Sequence, residues 1–319
     1  MKAFDLIKAT SLDEAVSALG CEGTMAIAGG TDLINTLQDR VLAEYPKTLV
    51  SLKGIPGLDY IKEEGGSLKI GAMTRLEDIA DSDIVRAKYT CLAEAAERTA
   101  SPHIRESGTI GGNICQINRC WYFRKTDNRF DCIRKGGNMC YAMAGDNRYH
   151  SIFGALGACI AVNPSDTAPA LVALNATIKT SKREIPVDEF WGVAIPGSTV
   201  LEADEIVTEI VIPSFSGKSN FIKNALRKSI DFPVVNCATA ISNGKARICL
   251  NAVYNNPYRA TTAEEIINGK TINEALAEEA GAAAISKAMA MPAVGINPGN
   301  KWKVQIAKTL VKRTILNCV

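Results

Sequence analysis

A paired-glycine turn that runs into a cysteine-rich insertion is the feature that most limits how this chain can fold. Segment 104–113 reads Ile-Arg-Glu-Ser-Gly-Thr-Ile-Gly-Gly-Asn, and the tetrapeptide Asn-Pro-Ser-Asp at 163–166 follows the insertion. A Gly-Gly pair lets backbone N–H groups approach a phosphate without an intervening Cβ, and nearby Asn and Thr side chains add hydrogen bonds. The sequence therefore predicts an anion-binding turn at 109–113.

The insertion holds four cysteines, Cys120, Cys132, Cys140 and Cys159, and between positions 115 and 150 it carries a net charge of +4 in a chain of +2. Gaps of twelve, eight and nineteen positions differ from the close pairs typical of structural zinc sites. An iron–sulfur cluster accepts scattered thiolates because the cluster supplies the rigid geometry, and its negative charge suits the basic surplus. The residues favour a cluster over two alternatives: a zinc site of Cys120, Cys132 and Cys140 with Cys159 or His150, and, less favoured, thiols that bind no metal.

A second glycine turn lies near the N-terminus. A short apolar run, 25–27, enters Ala28-Gly-Gly-Thr-Asp-Leu, and 33–41 has a helical pattern. Such a strand–turn–helix unit presents N–H groups where the helix dipole favours phosphate, and Thr31 and Asp32 can cap the helix or bind a ligand. On its own the turn is also compatible with a purely structural role.

Composition excludes several classes of function. Of 319 residues, 47% are apolar and 22% charged, with nearly balanced signs, which argues against a nucleic-acid-binding protein. We expect no membrane insertion, because no apolar run approaches the length of a membrane span and the N-terminus lacks a signal-peptide pattern. We therefore expect a cytoplasmic protein, whose ten cysteines are thiols or metal ligands. The sequence has no Gly-x-Ser-x-Gly or His-Glu-x-x-His motif, which argues against hydrolases of those two kinds.

Hydrophobic periodicity predicts an α+β chain with a boundary at 214–220. After this boundary, Asn243-Gly244 predicts a type I′ hairpin. The predicted strands are 25–27, 48–52, 60–63, 67–72, 159–162, 176–180, 184–187, 206–212, 220–226, 234–241 and 246–254. The predicted helices are 11–19, 33–41, 89–98, 167–174, 262–268, 272–289 and 302–316, and 74–77 has the pattern of a helix-capping box.

Several motifs together resemble the FAD-binding medium subunit of molybdenum hydroxylases, the family that includes the corresponding subunits of xanthine dehydrogenase and carbon monoxide dehydrogenase. The motifs are Ala-Gly-Gly-Thr-Asp-Leu at 28–33, Gly-Ala-Met-Thr-Arg-Leu-Glu-Asp-Ile at 71–79, Gly-Thr-Ile-Gly-Gly-Asn at 108–113 and Pro-Ser-Asp at 164–166. The resemblance implies a two-lobed FAD-binding domain of the PCMH/VAO type at 1–215, with lobes 1–55 and 56–215. A small domain like the carbon monoxide dehydrogenase flavoprotein C-terminal domain, with a three-stranded antiparallel sheet and helices, would occupy 216–319.

The resemblance also implies a set of FAD-binding residues. The two glycine turns would hold the pyrophosphate, Asp166 the ribityl or phosphate region, and Ile206 and Lys223 would lie near the isoalloxazine ring. The turn residues are Ile27, Ala28, Gly29, Gly30, Thr31, Asp32 and Leu33 in the first turn and Thr109, Ile110, Gly111, Gly112 and Asn113 in the second.

Within this family, the insertion at 115–160 resembles that of the 4-hydroxybenzoyl-CoA reductase flavin subunit, which carries a 4Fe-4S cluster. The implied ligands are Cys120, Cys132, Cys140 and Cys159, with a longer run between the last two than in that subunit.

The resulting hypothesis is an electron-transfer subunit with no catalytic residues of its own. It would pass electrons between the 2Fe-2S and molybdenum centres of a small and a large, molybdopterin-binding partner subunit and a soluble carrier such as ferredoxin or NAD. A zinc-stapled FAD-binding assembly subunit and a stand-alone flavin oxidoreductase are the alternatives.

Overall fold

A computed structural model describes residues 1–192 and 198–319. Its first lobe is a parallel three-stranded sheet, in the order β1-β3-β2, with two helices. The elements are β1 Asp5–Lys8, α1 Leu12–Leu19, β2 Thr24–Ile27, α2 Leu33–Gln38 and β3 Thr48–Ser51. Ser11 caps α1, because its hydroxyl accepts a hydrogen bond from the N–H of Glu14, as expected at a helix N-terminus. Helix α2 is shorter than the predicted 33–41, since the chain turns back at Arg40, whose φ is positive.

The second lobe is a five-stranded antiparallel sheet in the order β4-β5-β8-β6-β7. Its strands are β4 Ile61–Glu64, β5 Ser67–Gly71, β6 Thr177–Thr180, β7 Glu184–Pro186 and β8 Val207–Pro213. Alternate apolar side chains of β5, β6 and β8 face one core with the helices, as a period of two requires. The helices are α3 Leu76–Asp81, α4 Asp83–Lys88, α5 Thr90–Glu97, α6 Pro102–Arg105, α7 Ile110–Cys115 and α9 Thr167–Ala173.

The insertion contains little regular structure. It has 3-10 turns at Thr126–Asn128 and Ile133–Lys135 and one short helix, α8, at Tyr141–Ala144. The predicted strand 159–162 is wrong: Cys159 forms an isolated bridge with Leu156, and Val162 forms another with Arg119. The backbone of 159–162 therefore pairs with residues of the insertion and does not join a sheet.

The C-terminal region forms an antiparallel sheet in the order β12-β11-β10-β9. The sheet has four strands and not the predicted three, because Tyr258 and Arg259 form a short fourth strand that pairs with the preceding one. Asn243 and Gly244 both have positive φ, which confirms the predicted type I′ hairpin. The predicted helix 272–289 is too long, since the chain leaves the helix at Ile285. The elements are β9 Lys218–Asn224, β10 Val235–Ser242, β11 Lys245–Asn251, β12 Tyr258–Arg259, α10 Thr261–Ile267, α11 Glu274–Ala284 and α12 Lys301–Leu316.

Both faces of this C-terminal sheet are covered. One face packs under its own helices in a core that includes Val235 and Cys237. The other face contributes Ala238, Ala240 and Cys249 to the core of the second lobe. None of the helices in the described parts of the chain is long and apolar enough to cross a lipid bilayer.

Candidate functional site: a cleft walled by two glycine turns

A cleft of about 1020 Å³ opens between the first and second lobes. Its size is at the upper end of the range of ligand pockets. Thirteen of the fifteen predicted FAD-binding residues line it: Ile27, Ala28, Gly29, Gly30, Thr31, Asp32, Leu33, Thr109, Gly111, Gly112, Asn113, Asp166 and Ile206. Two turns that are about eighty positions apart in the chain therefore face one space.

Glycines in both turns allow close backbone approach: Gly29 lets the first turn approach the segment before the second, and Gly111 lets the second turn approach the end of β5. A Cβ on Gly29 would overlap the carbonyl oxygen of Ser107, and a Cβ on Gly111 would lie 2.8 Å from that of Ala72. The Ser107 hydroxyl also donates a hydrogen bond to the Gly29 carbonyl, at 3.1 Å. The sequence predicts that the missing Cβ makes room for a ligand; at these two positions the room is taken by neighbouring backbone.

Side chains of the second turn hold its own backbone and the 163–166 motif. The Thr109 hydroxyl accepts a hydrogen bond from the N–H of Gly112, at 3.1 Å, and so caps α7. Asn113 Oδ1 accepts hydrogen bonds from the hydroxyls of Ser165 and Thr167, at 2.5 and 2.8 Å. The turn and the motif are thus one hydrogen-bonded unit.

Asp166 forms a buried ion pair at the edge of the cleft. Its two carboxylate oxygens accept hydrogen bonds from Lys223 Nζ and Asn236 Nδ2, each at 2.7 Å. Burial raises the pKa of Asp166, although Lys223 opposes this rise. Each oxygen keeps a second lone pair, so Asp166 can still accept a bond from a ligand hydroxyl.

Two predicted residues, Ile110 and Lys223, do not line the cleft. Ile110 is fully buried in the core of the second lobe. Lys223 lies behind Asp166, where its amine also donates to the Arg98 carbonyl at 2.9 Å. The helical geometry of α7 directs the Ile110 side chain into the core, and the ion pair with Asp166 holds the Lys223 side chain away from the cleft.

Two walls of the cleft were not predicted from the sequence. One is a C-terminal loop that contributes Arg227, Ile230, Asp231 and Phe232. Ile230 and Phe232 are exposed. Two apolar residues in a predicted loop could have indicated that this loop contacts a ligand. The other wall comes from the insertion and consists of Arg119, Phe123, Ile133, Arg134, Lys135 and Gly136.

Asp32 joins the first glycine turn to this insertion. Arg124 donates to both of its carboxylate oxygens, at 2.7 and 2.9 Å, and Arg119 donates to one, at 3.0 Å. Asp32 makes no side-chain cap of α2. Since such bidentate pairs fix orientation as well as distance, this cluster aligns the insertion with the cleft.

The four insertion cysteines are neighbours. Burial raises the pKa of Cys120 to about 12, and nearby Cys159 and Cys140 add to the rise. Burial likewise raises the pKa of Cys132, again with contributions from Cys159 and Cys140. His150 Nε2 lies 3.1 Å from Cys120 Sγ. Within 1–192 and 198–319, however, no three side chains of His, Cys, Asp or Glu come together as ligands of one metal ion.

Two protein-family models match this chain. Residues 2–215 match the family described as the FAD binding domain in molybdopterin dehydrogenase. The chain belongs to this FAD-binding family. Residues 220–318 match the carbon monoxide dehydrogenase flavoprotein C-terminal domain, so the two matches together cover nearly the whole chain.

Relatives in this FAD-binding family share both sequence and fold with the chain. It is 34% identical over 278 residues to the FAD-binding subunit of an Escherichia coli aldehyde oxidoreductase, covering 83% of this chain and 86% of that one. It is 28% identical over 319 residues to the carbon monoxide dehydrogenase medium chain of Hydrogenophaga pseudoflava, covering 96% and 93%. A solved structure of that organism's enzyme superposes with a TM-score of 0.75 over 99% of this chain and 97% of that one.

These findings confirm the predicted family, the mixed α/β fold and an oxidoreductase flavoprotein subunit that binds FAD. The zinc-stapled alternative is not favoured, because the insertion thiols are not gathered as ligands of a single ion in the described structure. The 4Fe-4S cluster and the individual site residues remain predictions.

Proposed function

We propose that this chain is the electron-transfer subunit of a molybdenum hydroxylase-type oxidoreductase and carries both FAD and a 4Fe-4S cluster. The observation that supports this best is the shared wall: insertion residues such as Phe123 and Ile133 line the same cleft as the two glycine turns. A group held by the insertion thiols would therefore lie beside a flavin in the cleft. Short separation is what electron transfer between two centres requires.

For FAD, the chain supplies binding and orientation. The backbones of 27–33 and 109–113 would hold the pyrophosphate, and Asp166 would accept a hydrogen bond from the ribityl region. Ile206 would contact the isoalloxazine ring, and Lys223 would act through Asp166, which it fixes. When bound, the flavin supplies the exchange of one or two electrons.

For the cluster, Cys120, Cys132, Cys140 and Cys159 are the proposed ligands. Charge on Cys140 and Cys159 raises the pKa of both Cys120 and Cys132, so the four thiols are near enough to interact, and thiolates are the usual ligands of such clusters. Arg134 Nε donates a hydrogen bond to Cys159 Sγ at 3.1 Å, and such donors stabilise charge on cluster sulfurs.

The proposed assembly follows from the relatives of the chain. The Hydrogenophaga pseudoflava relative is a medium chain, and the solved enzyme of that organism lacks the Mo-pyranopterin moiety of its molybdenum cofactor. We expect a molybdopterin-binding large subunit and a 2Fe-2S small subunit here, together with a soluble electron carrier, in the cytoplasm. The proposed division of the chain is 1–215 for FAD and the cluster and 216–319 for the C-terminal domain.

Anaerobic purification tests the proposal. We expect a flavin spectrum with a broad shoulder near about 400 nm, and about four iron atoms per chain without zinc. Colourless protein that binds no added FAD would contradict the flavin assignment. Flavin without iron would leave the flavin assignment in place and reject the cluster.

Replacing one proposed cluster ligand tests the cluster independently of FAD. Cys132→Ala should remove most of the iron while FAD per chain stays unchanged, because Cys132 lies in the insertion and not in either glycine turn. Cys21→Ser is the matched control, since Cys21 is an exposed thiol of the first lobe. Iron content equal to wild type in the Cys132 variant would exclude it as a ligand.

A further inference from the structure

Arg119 brings a positive charge from the insertion to the first glycine turn. It lines the cleft, and its Nη2 donates a hydrogen bond to Asp32 Oδ1 at 3.0 Å. Arg124 already holds both oxygens of this carboxylate, at 2.7 and 2.9 Å. Two guanidiniums therefore face one carboxylate, and one positive charge is left in excess beside the turn.

The donors of the Arg119 guanidinium are only partly used by the protein. Its Nε is buried without a hydrogen-bond partner, and within residues 1–192 and 198–319 only its Nη2 donates a hydrogen bond. The pKa of Arg119 is lowered to about 10, chiefly by burial and also by the charge of Arg124, while Asp32 opposes the change. Arg119 is thus a cation with less than a full counter-charge, and an anion in the cleft would stabilise it.

Phe232 fixes the plane of this guanidinium. Its ring centroid lies 3.7 Å from Arg119 Cζ, which is a stacking distance, and Phe232 lines the cleft from the C-terminal loop. That loop is closed on itself, because the Asp231 carboxylate accepts hydrogen bonds from the N–H groups of Arg227 and Phe232, at 3.2 and 2.9 Å. Asp32 holds the edge of the Arg119 guanidinium and Phe232 holds its face, so the side chain is preorganised in the cleft wall.

The other carboxylates that line the cleft do not supply the missing counter-charge. Three of them form ion pairs with other cations: Asp166 with Lys223, Glu205 with Arg183 and Asp231 with Arg227. The fourth, Glu44, is exposed to solvent. In the described parts of the chain, Asp32 is therefore the one carboxylate that pairs with Arg119, and a further anion has to come from a ligand.

We propose that Arg119 binds the diphosphate of FAD and that Phe232 positions it for this contact. This inference rests on the proposed FAD site and adds to it a charged side chain from the insertion, whereas the two glycine turns offer backbone N–H groups. The diphosphate is favoured over the flavin ring because Asp32, which holds Arg119, belongs to the turn proposed for the pyrophosphate. The planar fork of a guanidinium also matches two phosphate oxygens at once.

The test uses the full chain, stripped of flavin, and FAD as the probe. Flavin fluorescence quenching measures the Kd, and equilibration with reference dyes measures the redox potential of the bound flavin. Arg119→Met removes the cation, Arg119→Lys keeps the charge but removes the fork, and Phe232→Ala removes the stacking ring. Arg129→Met is the charge-matched control, since Arg129 is an exposed residue of the same insertion. Leu226→Ala is the control for Phe232→Ala, since Leu226 is 67% exposed in the same loop and lies outside the cleft wall.

We expect Arg119→Met to raise the FAD Kd about thirtyfold, and Arg119→Lys and Phe232→Ala to raise it about fivefold. The effect of Arg119→Met should shrink as salt rises, the flavin potential should stay at the wild-type value, and both controls should bind FAD like wild type. An unchanged Kd in Arg119→Met and Phe232→Ala overturns the proposal. A lowered flavin potential in Arg119→Met also overturns it, because the guanidinium would then stabilise the reduced ring and not the diphosphate. A wild-type chain that binds no FAD would instead reject the FAD site itself, so the two failures are distinguishable. Because Phe232 is 48% exposed, Phe232→Ala tests the contact even where Arg119→Met fails to fold.

Discussion

The cleft and the insertion are adjacent, but different kinds of contact stabilise each of them. The cleft walls come from regular elements, and the backbones of the two lobes touch where Gly29 meets Ser107, so the shape of the cleft is set by the packing of the lobes. The insertion has only short turns and one four-residue helix, and it is held by side chains: the Arg119–Asp32–Arg124 cluster and the amine of Lys303. The difference indicates that the cleft is preformed, whereas the insertion depends on individual polar contacts and on what its thiols bind.

Gly29→Val should have the largest effect, because it tests whether backbone contact forms the cleft. The new side chain would overlap the Ser107 carbonyl and separate the lobes. We expect FAD binding about a hundredfold weaker, the equivalent of about 3 kcal/mol, measured by flavin fluorescence quenching.

Gly20→Ala is the matched control for this substitution. Its Cβ would meet neighbouring atoms at 3.4 Å or more, and the φ of Gly20 is −65°, so FAD binding should not change. Wild-type affinity in Gly29→Val would show that the lobes adjust and that the cleft is not preformed.

Lys303 tests how the end of the insertion is held. Its fully buried amine donates to the carbonyls of Tyr149, His150 and Ala252 at 3.1, 2.9 and 2.8 Å. Burial lowers the pKa of Lys303 to about 7. Since the unfolded chain retains this proton up to about pH 10, it binds more protons than the folded chain above pH 7. Stability should therefore increase between about pH 7 and 10, by at most about 1.4 kcal/mol per pH unit.

Lys303→Met should remove this increase, and Lys301→Met, at an exposed neighbour, should retain it. Chemical denaturation at several pH values measures both. The same pH dependence in Lys303→Met and wild type would mean that the three carbonyls keep the amine charged in the folded protein.

Asp32→Asn tests the link between the two regions and should have a smaller effect. The change leaves Arg119 and Arg124 without their carboxylate partner, at side-chain exposures of 33% and 13%. We expect a loss of about 2 kcal/mol in the free energy of unfolding, since both arginines are largely shielded from water.

Asp127→Asn is the matched comparison, because the Arg40–Asp127 pair is more than half exposed and should contribute less than about 1 kcal/mol. Thermal unfolding of the two variants measures both losses. Equal losses would show that the Asp32 cluster is an ordinary surface contact and does not join the regions.

Turns, hairpins and strands could be predicted from the sequence more accurately than the contacts between distant segments. The two glycine turns, the Asn243-Gly244 hairpin and the strands of the second lobe could be recognised because short-range backbone preferences determine them. The inward side chain of Ile110, the Asp166–Lys223 pair and the contribution of 227–232 to the cleft depend on how distant segments pack. The strand predicted at 159–162 failed for the same reason, since an apolar run there turns toward the insertion and finds no neighbouring strand.

The C-terminal sheet, apolar on both faces, has a consequence for how the chain can be divided. The core of the second lobe includes three residues of the C-terminal sheet, Ala238, Ala240 and Cys249. A fragment that ends at 215 would therefore expose a large apolar surface to water. The two family matches divide the chain between 215 and 220, but neither half should behave as an independent folding unit. Fragment expression should give aggregates, and co-expressed halves should reassociate into one cooperative body.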